Sequence, residues 1–150
     1  MSLNQWLENS WISKVERSAG HVQDLLAIAA RQLADASLQG ISVDGRFNHA
    51  YDAVRTCCEV MLHAEGYMVC KGVRQHERAI ESLRFTLGGK WTADIDFLDR
   101  CRRIRNESVY DRPGRVQSQD ANDLLKKAGE LREAVLQWLS RFHADLLPDA

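Results

Sequence analysis

Residues 44–66, DGRFNHAYDAVRTCCEVMLHAEG, decide the fold class. Phe47, Ala50, Tyr51, Val54, Cys58, Met61 and Leu62 recur at steps of three and four, the spacing that puts side chains on one face of an α-helix. Asp44 can accept a hydrogen bond from the first turn, and Gly66 provides the kind of residue on which helices end.

The same period extends outward in both directions. Upstream, a short amphipathic lead with Trp6, Leu7, Trp11 and Ile12 precedes a helix predicted from about Ser18 to Leu38 and ended by Gly40, with Val22, Leu25, Leu26, Ala29, Leu33 and Ala36 on one face. Downstream, a short helix is predicted from Arg74 to Leu87, stopping at Gly88-Gly89. Thr92 is the expected N-cap of a fourth helix carrying Ile95, Leu98, Cys101 and Ile104 and terminated by Pro113-Gly114. The fifth and longest runs from about Ser118 to Leu146, with Leu124, Leu131, Val135, Trp138, Leu139 and Phe142 facing inward. Pro113 and Pro148 are the only prolines, and almost no stretch alternates with period two. Short links favour antiparallel neighbours, so the expected fold is all-α: one up-and-down helical bundle of four to five helices over residues 1–150.

Composition fits that fold. With 45% hydrophobic and 27% charged residues, the chain is neither a disordered polymer nor a membrane protein, and 150 residues can bury one sizeable core. No apolar run approaches the roughly 20 residues that span a bilayer. The opening MSLNQWLENSW lacks the basic-then-apolar order of a secretory leader, so the expected location is cytoplasmic. A net charge of -1 excludes a uniformly basic nucleic-acid-binding surface; any anion site must be local.

Cys57, Cys58, Cys70 and Cys101 match neither a zinc site nor a redox Cys-x-x-Cys and read as buried structural thiols. His49 and His63 lack the spacing of a metal pair, Gly88-Gly89-Lys90 lacks the rest of a phosphate-binding loop, and no cofactor is expected. The four tryptophans read as packing residues, although Trp6 and Trp11 on the amphipathic lead could instead meet a partner.

The stretch RCRRIRNESVYDRPGR, residues 100–115, carries six arginines. On a helix, Arg102, Asn106 and Tyr110 lie four apart along one stripe, and Arg105 sits beside the apolar stripe of Leu98, Cys101 and Ile104. An arginine there needs an anion or carbonyls for its donors. The simplest reading pairs these arginines with Asp96, Asp99, Glu107 and Asp111 as a solvated face.

Three segments together resemble the HEPN domain family over roughly residues 45 to 140: AYDAVRTCCEVMLHAEGY, the Gly72 to His76 segment with RAIESLRFTLG after it, and RRIRNESVYDRPG. The resemblance implies a helical homodimer that binds RNA or a nucleotide phosphate. It also implies a toxin-type, metal-independent ribonuclease with a nucleotidyltransferase antitoxin as possible partner. In that family an Arg, usually followed by Asn, precedes a His that completes the site across the dimer. Carried over, Arg105 and Asn106 match the first two positions, and Tyr110 stands where the His is expected.

Arginine can clamp phosphate oxygens, but a phenol titrating near 10 is a poor proton shuttle at neutral pH where imidazole is a good one. Losing general acid–base help costs about 10² to 10⁴ in rate, so weak or absent cleavage is expected. Arg102, Arg103 and Arg112 are expected to assist binding, and His76, at the start of a helix, is either a packing residue or a substitute proton donor. Two other readings stand beside this one: a non-catalytic helical protein–protein interaction module, and a dimer bridged through arginine–carboxylate pairs.

Overall fold

The computed structural model describes residues 1–106 and 116–148. Its elements are α1 (Leu3–Glu8), β1 (Ile12–Lys14), α2 (Ala19–Ala36), α3 (Val43–Ala64), β2 (Tyr67–Val69), α4 (Gln75–Glu81), α5 (Leu83–Thr86), α6 (Thr92–Asn106) and α7 (Ser118–Phe142), with 3₁₀ turns at Gly89–Trp91 and Ala144–Leu146. The chain is an all-α bundle built around α3.

Helix α3 occupies the centre because its small residues let neighbours approach from several sides. Besides the apolar stripe, Ala53, Cys57, Val60 and Ala64 are buried, leaving chiefly one polar stripe uncovered. Helices α2 and α7 pack along α3. The direction of α2 follows from side-chain contacts: the Ser18 amide donates to His63 Nε2 at one end, and Arg46 Nε donates to the Ala36 carbonyl at the other, so α2 and α3 are antiparallel. At the far end of α7, His143 lies 3.8 Å from Glu65 just past α3, and Arg132 lies beside Cys57, so α3 and α7 run in the same direction. Asp94 of α6 meets Lys127 of α7 while Cys101 faces Asp120 and Asp123, which makes α6 antiparallel to α7. The four long helices therefore alternate in direction along the chain.

Several expectations are corrected. Ser42, not Asp44, caps α3: its hydroxyl accepts from the Gly45 amide at 2.9 Å, and Asp44 sits inside the first turn. The helix expected over residues 74–87 breaks at Ser82, whose hydroxyl bonds back to the Ala79 carbonyl at 2.7 Å in a fully buried position. Thr92 is the first residue of α6, entered from a 3₁₀ turn, rather than an N-cap. The last helix stops at Phe142 and continues as a 3₁₀ turn to Leu146; Phe142 is 58% exposed, not part of the core. The proposed stop at Pro113-Gly114 lies outside the described residues.

The N-terminal lead forms a helix and a strand. Strand β1 pairs antiparallel with β2 in the register Ile12↔Val69, Ser13↔Met68, Lys14↔Tyr67. Three-residue strands are too short to leave a period-two signature in the sequence. Trp6 packs edge-on against Trp11 and Phe85, and the Arg78 guanidinium lies 4.4 Å from the Trp11 ring centre, so both tryptophans are satisfied inside the fold. Among the described residues no helix is long and apolar enough to cross a membrane.

Candidate functional site

The site lies where the end of α6 passes the first half of α3 and the start of α4. Its position follows from the antiparallel crossing, which lays the arginine-rich end of α6 over Tyr51, Asp52 and Arg55. A cleft of about 460 Å³ opens between the Gly72–Glu77 segment and α6, and Arg102, Asn106, His76 and Gln75 line it. Three residues singled out in the sequence are thus brought together: Arg102, Asn106 and His76.

Arg105 is placed differently. Its guanidinium lies beneath the helix, 5.0 Å from the Tyr51 ring centre, with Nη2 3.8 Å from Asp52 Oδ1 and a side chain only 16% exposed. Its Nε is buried without an acceptor among the described residues, as is the Tyr51 hydroxyl. Burial, followed by the neighbouring Cys58, pushes the Tyr51 phenol well above its ordinary range, so it stays protonated. Arg103 points away into solvent, 3.9 Å from Asp99. Tyr110 and Arg112 lie outside the described residues.

Among the described residues around the cleft, guanidiniums outnumber the carboxylates they pair with. Asp99 is shared by Arg102 at 2.9 Å and Arg103 at 3.9 Å, and Asp52 by Arg55 at 3.6 Å and Arg105 at 3.8 Å. Among the described residues these four guanidiniums share two carboxylates, and three of the four pairs are too long for a strong hydrogen bond. Glu77, on the rim of the cleft, is drawn outward to Arg74 at 3.8 Å. Asp96, expected to pair with the α6 arginines, is taken instead by Arg84 at 2.7 Å.

His76 registers the surplus. Burial first, then the nearby Arg55, Arg105 and Arg102, hold its pKa below the ordinary value, with Asp52 opposing. The neutral ring can accept a proton or donate one hydrogen bond; it lines the cleft and meets the Tyr51 ring edge-on, 6.4 Å between centres.

Tyr51, Asp52 and Arg55 were not singled out as site residues in the sequence. Tyr51 reads as one more position in the apolar stripe, and Asp52 with Arg55 as a surface pair three residues apart; only the crossing of α6 over α3 gives them neighbours. The thiols agree with the structural reading in part: Cys57, Cys58 and Cys101 are buried, Cys70 is half-buried, and all four are free. Among the described residues no cluster of His, Cys, Asp or Glu could hold a metal ion.

Comparison of the chain with protein-family models, with curated proteins and with solved structures gave no match.

Proposed function

We propose that this chain is a HEPN-like cytoplasmic protein that acts as a homodimer and binds RNA or a nucleotide phosphate in the cleft between α4 and α6. The observation that carries the reading is the meeting of Arg102, Asn106 and His76 at one opening, with Arg55 and Arg105 beside it sharing Asp52 among the described residues. Arg102 would grip phosphate oxygens in a fork, Asn106 would add a neutral donor, and Arg105 would act from below as a fixed charge. Pairing two such clefts in a dimer would double the positive field without making the whole protein basic.

Cleavage of RNA at this site would be weak or absent. Tyr110 supplies no group titrating near neutrality, so His76 is the candidate to move the proton. A toxin role, with a nucleotidyltransferase as antitoxin, belongs to the same proposal.

The test is binding of a labelled mixed RNA pool followed by anisotropy at rising salt, for the natural chain, Arg102→Ala and Asn106→Ala, with metal-free cleavage of the same pool assayed beside it. Binding should be saturable, fall steeply with salt, and drop at least about tenfold in Arg102→Ala. Cleavage should rise in Tyr110→His and vanish when Arg105→Ala is added. A natural chain that binds no RNA at low salt overturns the proposal.

The internal pairing of Arg102 with Asp99 at 2.9 Å favours a second reading, a non-catalytic module that presents this face to a partner protein or to a second copy of itself. In that case RNA binding is absent, and Arg102→Ala alters only protein association.

A further inference from the structure

A second cavity, of about 390 Å³, lies on the other side of His76, between the polar stripe of α3 and the β2–α4 segment. Arg55, Glu59 and His63 of α3 line it, a span of eight residues and therefore roughly 12 Å along the helix at 1.5 Å per residue. Leu62, Val69 and Ala79 contribute apolar wall, and the volume falls in the range that holds small organic ligands, roughly 300–1,000 Å³.

The two ends differ in chemistry. At the α4 end, Arg55 and Lys71 bring positive charge. Lys71 has no ion pair among the described residues, and Arg55 is held only loosely by Asp52, at 3.6 Å. At the other end stands His63, 9% exposed. The Ser18 amide donates to its Nε2 at 2.9 Å, which requires that nitrogen to be unprotonated and leaves the proton of the neutral ring on Nδ1 as a donor. Burial and the adjacent His21 ring, 4.6 Å away between centres, favour that neutral form. Glu59 is the one carboxylate on the lining among the described residues; it is exposed, so water screens it, whereas Arg55 is about two-thirds covered.

We propose that this cavity is a binding site for a small organic monoanion whose apolar body lies against Leu62, Val69 and Ala79 and whose anionic group is held at the Arg55 and Lys71 end. The cavity opens apart from the phosphate cleft, although His76 and Gln75 form a wall of both and Arg55 also pairs with Asp52 beside that cleft. It goes beyond the proposed function and does not depend on it.

The experiment titrates the full chain with 1-naphthoate and, in parallel, with neutral 1-naphthamide, followed by calorimetry. Expected is saturable binding of one naphthoate per chain, at least about tenfold tighter than the amide. Arg55→Gln should erase that preference, and Ala79→Phe, which fills the apolar half, should weaken both probes at least about tenfold. Arg102→Ala should change naphthoate affinity by less than about twofold while reducing RNA binding, which separates this site from the cleft. Thermal melts establish that each variant is folded, and the two substitutions act on different features, one on the charge and one on the apolar wall, so loss of one variant leaves the other decisive. Failure of the natural chain to bind naphthoate overturns the proposal. So does equal affinity for acid and amide, or binding that folded Ala79→Phe and Arg55→Gln leave unchanged.

Discussion

Replacing Arg105 separates the two jobs its side chain does. The stem is largely buried, and the two methylenes that alanine lacks, at about 0.8 kcal/mol each, give roughly 1.5 kcal/mol of packing. The guanidinium over Tyr51 adds about 0.5–1 kcal/mol, and the long, partly exposed contact to Asp52 at most about 0.5 kcal/mol. Against these stands the buried Nε, which has no acceptor among the described residues and whose desolvation costs about 1–3 kcal/mol. Arg105→Ala should therefore lower stability by only about 1 kcal/mol, seen as a fall in Tm of about 2–4 °C for a chain of this size. Arg105→Met keeps most of the stem and removes the orphaned donor, so it should be at least as stable as the natural chain. Calorimetric melts of the three proteins decide the matter. If the methionine variant falls as far as the alanine one, the charge and not the stem holds this contact, and the balance drawn here is wrong.

Three further outcomes are expected. His63 and His76 both have folded-state pKa values below the ordinary 6.5. The unfolded chain therefore takes up protons first as pH falls, so their contribution is complete above about pH 6.5 and declines below it. Urea midpoints should drop between about pH 7 and about pH 5, and His63→Gln together with His76→Gln should flatten that drop. Burial pushes the Cys57 and Cys101 thiols up to about 12 and raises Cys58 further still, so a thiol-specific disulfide reagent should label Cys70 first in the native protein and the other three only on unfolding. Ser42→Ala removes the cap of the central helix and should cost about 1 kcal/mol; an unchanged melting temperature would mean the Ser42–Gly45 contact contributes nothing in solution.

The local chemistry of the chain was sufficient to find its four long helices, though not the break at Ser82 in the helix expected over 74–87. Apolar residues recurring at three and four, with Gly66 after α3 and Ser18 before α2, specify where turns of helix begin and end, because those choices involve only residues within one turn of each other. The same local reasoning found the arginine cluster at the end of α6 and the imidazole of His76. It failed where two local options were nearly equal, as between Ser42 and Asp44 for the cap, and where an element was too short to show a period, as for β1 and β2.

What only the tertiary structure decided is which charges meet. That α6 crosses α3 so that Arg105 lies against Tyr51 and Asp52, fifty-odd residues earlier, depends on how the small residues of α3 let neighbouring helices settle. The meeting of Arg102, Asn106 and His76 at the cleft and the cavity between Arg55 and His63 come from that packing, since helical periodicity fixes the face a side chain occupies but not the helix that will cover it.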